Sequence, residues 1–317
     1  MNTQEIKAVL KNFAENATGI KFYFVDTNNN ITASDIRNEE LDGAKAEFAN
    51  SLLSKFVNNE SFTTPFLSNY DERKHALYKF DFDETPSAFG LLDQALAIRA
   101  DEPVNVYQAR DNKLENIEAV IIVLKHRDGR QIGFYQQVFN VSLLQSQKGI
   151  ANLTTHESRI IKLQTDVLRI SSNFVFAKVL DHILVENVKA LENQLGFKDV
   201  VHAQAEQYFE QISEMNFGDN LDIFREKIVE DTSFARKVVK VARHSAVLES
   251  SISTADLIAF VKQKEHYADV FRFNEDETKF DFGSINRCRK FLELLDDDLL
   301  TSPLTNKDYI ARAKDRL

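Results

Sequence analysis

"NFVFAKVLDHILVENVKALENQLGF", running from Asn173 to Phe197, changes its period halfway along. Phe174, Phe176 and Leu180 sit in strand-like alternation, whereas Val188, Leu191 and Leu195 recur at helical spacing. Asp181 and His182 interrupt two apolar runs where a tight turn between strands is needed, and Asp suits turn geometry. Glu186 and Asn187 then stand where the helix begins, and an Asn side chain there caps free N–H groups. Gly196 occupies the position of a left-handed helix terminator. Acid/base chemistry would need a positioned partner that this stretch does not offer. The period switch therefore reads as a fold junction.

Upstream of the junction the chain is rich in strand patterns. "IEAVIIVLKH" and "RQIGFYQQVF" flank Asp128-Gly129, a strong short hairpin signal. "SRIIKLQTD", "VLRISS", "NFVFAKV" and "HILVEN" follow at short intervals with no helix between them, which predicts an antiparallel meander. Before it, "TQEIKAVLKNFAEN" reads as a helix with Thr3 as its cap, and "IKFYFVDTNNNIT" as a strand and Asn-rich turn. Ser34 or Asp35 is expected to open a second helix that buries Leu41, Ala44, Phe48, Leu52 and Phe56. "HALYKFDFD" reads as a strand and "SAFGLLDQALAIRA" as a short helix.

Downstream of Asn187 the patterns are mainly helical. "SFARKVVKVARHSAV" and "SINRCRKFLELL" are the clearest, "VFRFNEDETKFDF" reads as a small hairpin, and Thr305 with Asp308 resembles a capping box opening a final helix. The expected fold is α+β: an N-terminal and central, mostly antiparallel sheet with helices, then a mainly helical C-terminal part. The expected division is an N-terminal α+β region over 1–116 and a second domain over 117–317, with the meander at 117–186 and the helices at 187–317.

Composition narrows the functional classes. The 317 residues are 43% hydrophobic and 28% charged, a soluble globular profile with room for a substantial core. Cys288 is the single cysteine, so no internal disulfide framework exists. No apolar run reaches the ~20 residues of a membrane span, and "MNTQEIKAVL" lacks a signal peptide's basic start and long apolar middle. A cytoplasmic location is expected, without direct membrane insertion. The net charge of −10 argues against a protein coated in positive charge, so any nucleic-acid contact needs a restricted basic surface.

Enzyme signatures are sparse. No two of the seven His stand at i, i+4, no Cys pair exists, and no phosphate-cradling Gly-rich loop occurs. Neither metal nor cofactor is expected, and no catalytic residue is assigned. "ETK" at Glu277 to Lys279, beside Asp276, has the acid-rich form of a metal-dependent nuclease motif, but "EIK" at Glu5 and "ERK" at Glu72 match it equally well. "LLDDDLL", Leu294 to Leu300, reads as a solvated turn after a helix. The most informative pattern is "SFARKVVKVARHSAV". Arg236, Lys237, Lys240, Arg243 and His244 fall within an arc of about 120° at 100° per residue, opposite Phe234, Val238 and Val241. Two readings stand. The face pairs with the chain's surplus acids, or Arg236, Lys237, Lys240 and Arg243 contact nucleic-acid phosphates.

The succession "SNFVFAKVLDHILVENVKALENQLGF", "SFARKVVKV" and "KFDFGSINRCRKFLELLDDDLLTSPLTNKDYIARAK" resembles the protein B (KwaB-like) family of the Kiwa anti-phage systems, over roughly Ile117 to the end. The resemblance implies an antiviral defence protein of the cytoplasm, recruited to the inner membrane by a small membrane-embedded A-like subunit. It also implies a homodimer that binds DNA and obstructs phage replication or expression, without being an enzyme. A metal-dependent nuclease in phage defence and an adaptor that does not bind DNA are the alternatives.

Overall fold

The computed structural model describes residues 1–99, 104–108, 113–139, 141–146, 153–156, 159–250, 252–305 and 307–310. The chain gathers into two compact units. Unit 1 comprises Met1–Pro65, Arg73–Phe80 and Pro86–Leu195; unit 2 comprises Phe66–Glu72, Asp81–Thr85 and Gly196–Leu317. The expected division point at 116/117 lies inside unit 1, where a 3-10 turn over Leu114–Asn116 leads into a strand.

In unit 1, α1 (Thr3–Glu15) leads into β1 (Ala17–Asp26), β2 (Ile31–Ala33) and α2 (Asn38–Leu52). Then come β3 (Tyr78–Lys79), α3 (Ser87–Ala97), β4 (Ile117–His126) and β5 (Gln131–Gln137). Among the described residues seven strands form one sheet in which every neighbouring pair is antiparallel. Its centre is β1–β4–β5, with β4 and β5 joined through Asp128-Gly129; Gly129 has φ 90°, which a glycine adopts without penalty. Both faces of β4 are covered. Ile122 and Leu124 share a core with Phe22, Phe24 and Phe134 of the sheet and with Ile6, Leu10, Phe48 and Leu52 of α1 and α2. On the opposite face Ile121 and Val123 are also buried. There α3 sets Phe89 against Phe176, with ring centroids 4.5 Å apart. α3 comes so close to β5 that a Cβ on Gly133 would lie 2.6 Å from Leu92 Cδ1. Two covered faces explain why "AVIIVL" is unbroken by polar residues.

Several local expectations change. Asn2, not Thr3, caps α1: its side chain accepts from the Glu5 N–H while the Glu5 carboxylate accepts from the Asn2 N–H. α2 opens at Asn38, three or four positions later than Ser34 or Asp35 predicts, and its stripe is fully buried only at Phe48, Leu52 and, in the following π turn, Phe56. "HALYKFDFD" supplies only the two-residue β3. The strands after β5 also differ from a simple meander. β6 (Leu143–Leu144) pairs with β9 (Val167–Leu168), and β7 (Leu153–His156) with β8 (Arg159–Lys162), all outside the main sheet. Alternation reveals an extended segment but not its neighbour. The chain rejoins the sheet at β10 (Phe176–Val179), followed by β11 (His182–Val185) and α4 (Val188–Gln194). In the β10–β11 turn the left-handed position falls on Leu180 (φ 56°), beside Asp181. Asn187 Oδ1 caps α4 from the Ala190 N–H at 3.0 Å, as the sequence predicts.

Unit 2 is mostly helical. Gly196 (φ 74°) separates α4 from α5 (Phe197–Glu214). β12 (Gly218–Asp219), α6 (Asp222–Glu230), α7 (Thr232–His244), α8 (Ala246–Glu249), α9 (Thr254–Gln263) and α10 (Glu265–Ala268) follow. β13 (Phe280–Asp281) pairs in parallel with β12, and α11 (Ile285–Leu295) comes next. Phenylalanines dominate this core. Phe224 meets Phe209, Phe234 and Phe282 with ring centroids 4.7, 5.1 and 5.9 Å away. The predicted final helix is replaced over Asp308–Ile310 by β15, which pairs with β14 (Leu299–Thr301). The Thr305 N–H is turned to Ser302 Oγ and the Ser302 N–H to the Lys307 carbonyl, which closes a hairpin. The basic tail residues Arg312, Lys314 and Arg316 lie outside the described residues. Among the described residues no helix is long and apolar enough to cross a membrane.

Candidate nucleic-acid interface

α7 forms as its sequence predicts. Asp231 caps it, accepting from the Ser233 and Phe234 N–H groups. Phe234, Ala235, Val238, Val239 and Val241 are buried. Arg236, Lys237, Lys240 and Arg243 therefore share the other side, together with His244, as one period of the helix requires.

That face is engaged by carboxylates and aromatic rings of unit 2. Lys237 Nζ donates to Asp296 and, at 2.8 Å, to Asp298 Oδ2; Lys240 Nζ lies 2.7 Å from Asp296 Oδ2. Arg243 pairs with Asp83 and lies over the Tyr208 ring, its Cζ 5.6 Å from the centroid. Arg236 lies over Tyr70 at 5.0 Å. His244 Nε2 is 2.8 Å from Ser68 Oγ, and its ring stacks on Phe66. The Lys240 side chain is only 12% exposed, so the helix does not present an outward solvated row. Between the pieces of this unit lies a cleft of about 470 Å³, lined by Tyr70, Arg236, Lys237, Lys240, Arg289 and Asp298 among others.

The acidic run after α11 is a correction. "LLDDDLL" reads as a solvated turn, yet Asp296 and Asp298 are buried and only Asp297 is exposed. A helix-ending motif produces this alternation. The Asp298 N–H donates to the Glu293 carbonyl and the Asp297 N–H to the Leu294 carbonyl, with Asp297 in the left-handed region at φ 56°. Those two bonds define a Schellman end, here built without glycine. The chain reversal turns the flanking carboxylates toward α7. Burial alone would raise the Asp296 pKa, but Lys237 and Lys240 outweigh it and hold the carboxyl below its ordinary range. Carboxylates at a helix C-terminus oppose the helix dipole, so the run itself carried a signal that cations had to be near. Which cations they were, some 59 residues back in the chain, was not readable.

The nuclease-like residues are not assembled. Glu277, at φ 54° in a turn, pairs with Lys262, and Lys279 reaches Asp219. Among the described residues no three His, Cys, Asp or Glu side chains converge to hold a metal ion. Asp181 and His182 occupy the β10–β11 hairpin, where His182 Nε2 lies 3.4 Å from the Met1 amino group.

Comparison with known proteins fits this architecture to a family. The profile of the Kiwa protein KwaB-like family matches residues 114–305. The Kiwa protein KwaB of Escherichia coli O55:H7 (strain RM12579 / EPEC) is 31% identical over 320 residues, covering 100% of this chain and 99% of the relative. No solved structure matches. With more than half the chain inside the profile and a relative aligned from end to end, the chain belongs to the Kiwa protein KwaB-like family, the protein B family of the Kiwa anti-phage defence systems.

Proposed function

We propose that this protein is a non-enzymatic anti-phage effector that binds DNA and obstructs phage replication or expression, acting with a small membrane-embedded subunit. The reading is carried by the end-to-end similarity to a Kiwa protein KwaB. It is supported by the gathering of Arg236, Lys237, Lys240 and Arg243 on one face of α7. The protein works as a homodimer in the cytoplasm, and the partner subunit brings it to the inner membrane.

The contact on α7 is electrostatic. Phosphate oxygens compete with Asp83 for Arg243 and approach Arg236 beside Tyr70, while Lys237 and Lys240 stay bound to Asp296 and Asp298. The test is titration of duplex DNA at several salt concentrations, with Arg236→Gln/Arg243→Gln as the variant. This pair leaves the buried lysine–aspartate cluster intact. Each lost phosphate contact removes about 0.9 from the slope of log affinity against log salt, so the slope should flatten by up to about 2. Affinity should fall alike for unrelated sequences. An unchanged slope removes α7 from the interface. No DNA binding by the parent favours the adaptor, and Mg²⁺-dependent cleavage favours a nuclease. Light scattering checks the dimer, and fractionation with and without the membrane subunit checks recruitment.

A further inference from the structure

Unit 1 contains a second cleft, of about 310 Å³, where the end of β5 meets the segment leading into β10. Among the described residues its lining holds one charged side chain, Arg169, and no carboxylate. Arg169 is exposed, and its guanidinium makes no hydrogen bond or ion pair among the described residues. That is unusual in a chain of 49 acidic residues.

The amides around it are set as donors. Asn173 Oδ1 is taken by Lys55, and Asn187 Oδ1 accepts from the Ala190 N–H at 3.0 Å. Their Nδ2 groups have no partner among the described residues. An occupied oxygen fixes the flip of an amide, so both residues offer N–H to the cleft they line. Ser142 and Gln137 add a hydroxyl and a further amide. The wall behind is cross-linked by hydrogen bonds. Gln136 Nε2 donates to Ser171 Oγ and to the Asn173 carbonyl, both at 2.7 Å, which ties β5 to the returning chain. At the rim stand Phe139, 36% exposed, and Val141, 80% exposed.

A guanidinium and amide N–H groups without a carboxylate recognise an anion. The volume exceeds what a bare phosphate fills and falls at the lower end of small-ligand sites. A rim phenylalanine offers a face on which a base stacks. We infer that this cleft binds a nucleotide, with the phosphate on Arg169, the base against Phe139 and the base edge on the amides. The source is a free mononucleotide or one unit of a single strand. The inference does not rest on the duplex contact at α7.

The test is calorimetric titration of the full chain with dAMP, with a short oligo-dT and with inorganic phosphate. Saturable binding of dAMP or oligo-dT is expected. dAMP alone identifies a free nucleotide, and oligo-dT alone a single strand. Arg169→Gln should weaken that binding at least about tenfold, as loss of a charge-assisted contact does. Phe139→Ala should weaken it about fivefold or more. Dependence on Arg169 is what separates this site from α7, whose arginines an oligonucleotide also reaches. The Arg169 guanidinium has no hydrogen bond or ion pair to lose among the described residues, so its variant carries the test even if Phe139→Ala disturbs folding. The inference is overturned if neither ligand binds, if Arg169→Gln binds as the parent does, or if phosphate alone binds as tightly as dAMP.

Discussion

The two clefts use positive charge in opposite ways. In unit 2 the cleft beside α7 is lined by four cations, Arg236, Lys237, Lys240 and Arg289, and by four acids, Asp71, Glu72, Glu293 and Asp298. In unit 1 the cleft beside β5 has a single cation and, among the described residues, no acid. The denser cluster is therefore the more nearly neutral one. Cations matched inside a fold contribute to its stability; a cation left unmatched is available to a ligand without displacing anything. A cationic helix face does not reveal which of these it is, because the matching acids come from elsewhere in the chain.

The largest effect should come from breaking the matched cluster. Asp296 is 5% exposed at its side chain and holds both Lys237 and Lys240. Asp296→Ala leaves Lys240, largely covered by the fold, without its carboxylate and should cost about 3 kcal/mol, measured by urea unfolding with hydrogen exchange at the α7 amides. Adding Lys240→Met should recover a part of about 1 kcal/mol or more, because the second change removes the stranded charge. Arg169→Gln in unit 1 should cost less than about 0.5 kcal/mol. If Asp296→Ala is as mild as Arg169→Gln, the contrast between the clefts is wrong.

The same contrast explains what the sequence could show. The β4–β5 hairpin was legible because Asp128-Gly129 fixes it locally, and the end of α4 because Gly196 does. α7 was legible because Phe234, Val238 and Val241 mark its buried side. The local pattern failed where distant partners decide the outcome. Ile160 and Ile161 read as meander residues, yet β8 pairs only with β7 among the described strands. Thr305 with Asp308 read as a helix start, but Asp308 and the two residues after it pair with β14. The Asp296–Lys240 pair joins residues far apart in the chain, and nothing periodic links them. The unit 1 cleft left no sequence signal, since its amides and serines follow no spacing and Gln136 meets Ser171 across 35 residues.

Two carboxylates sharpen the comparison through pH. Glu186 in unit 1 is pushed up by burial; Lys55 and the Phe174 N–H pull it down without cancelling that. With its folded value above the unfolded one, its contribution is fully present below the unfolded pKa of about 4.3 and is lost as pH rises through the folded value. Asp296 has the opposite sign. Its contribution is present above the unfolded pKa of about 3.9 and is lost as pH falls through its depressed folded value. Acidification from neutral pH should therefore favour the parent over Glu186→Gln first, and erode its advantage over Asp296→Asn only later. Unfolding midpoints of the three proteins across pH 3 to 7 check this; parallel curves would remove the assigned roles.

The smallest effect isolates geometry from charge within one acidic run. Asp297 lies between two buried carboxylates but is itself exposed, with φ 56° at the left-handed position of the Schellman end. A side chain there costs about 1 kcal/mol, less for Asp than for most residues, and glycine has no such penalty. Glycine also loses more freedom on folding, which offsets part of the gain. Removing a carboxylate from a helix C-terminus adds about 0.3 kcal/mol. Asp297→Gly should thus stabilise unit 2 by about 0.5 kcal/mol and raise the melting temperature by about 1–2 °C. Asp296→Ala and Asp298→Ala, one position to either side, should lower it. If Asp297→Gly destabilises as its neighbours' variants do, the run acts through total negative charge and not through the two inward carboxylates. The lysines of α7 would then be held by a diffuse field, and a phosphate could replace it more readily than it could replace Asp296.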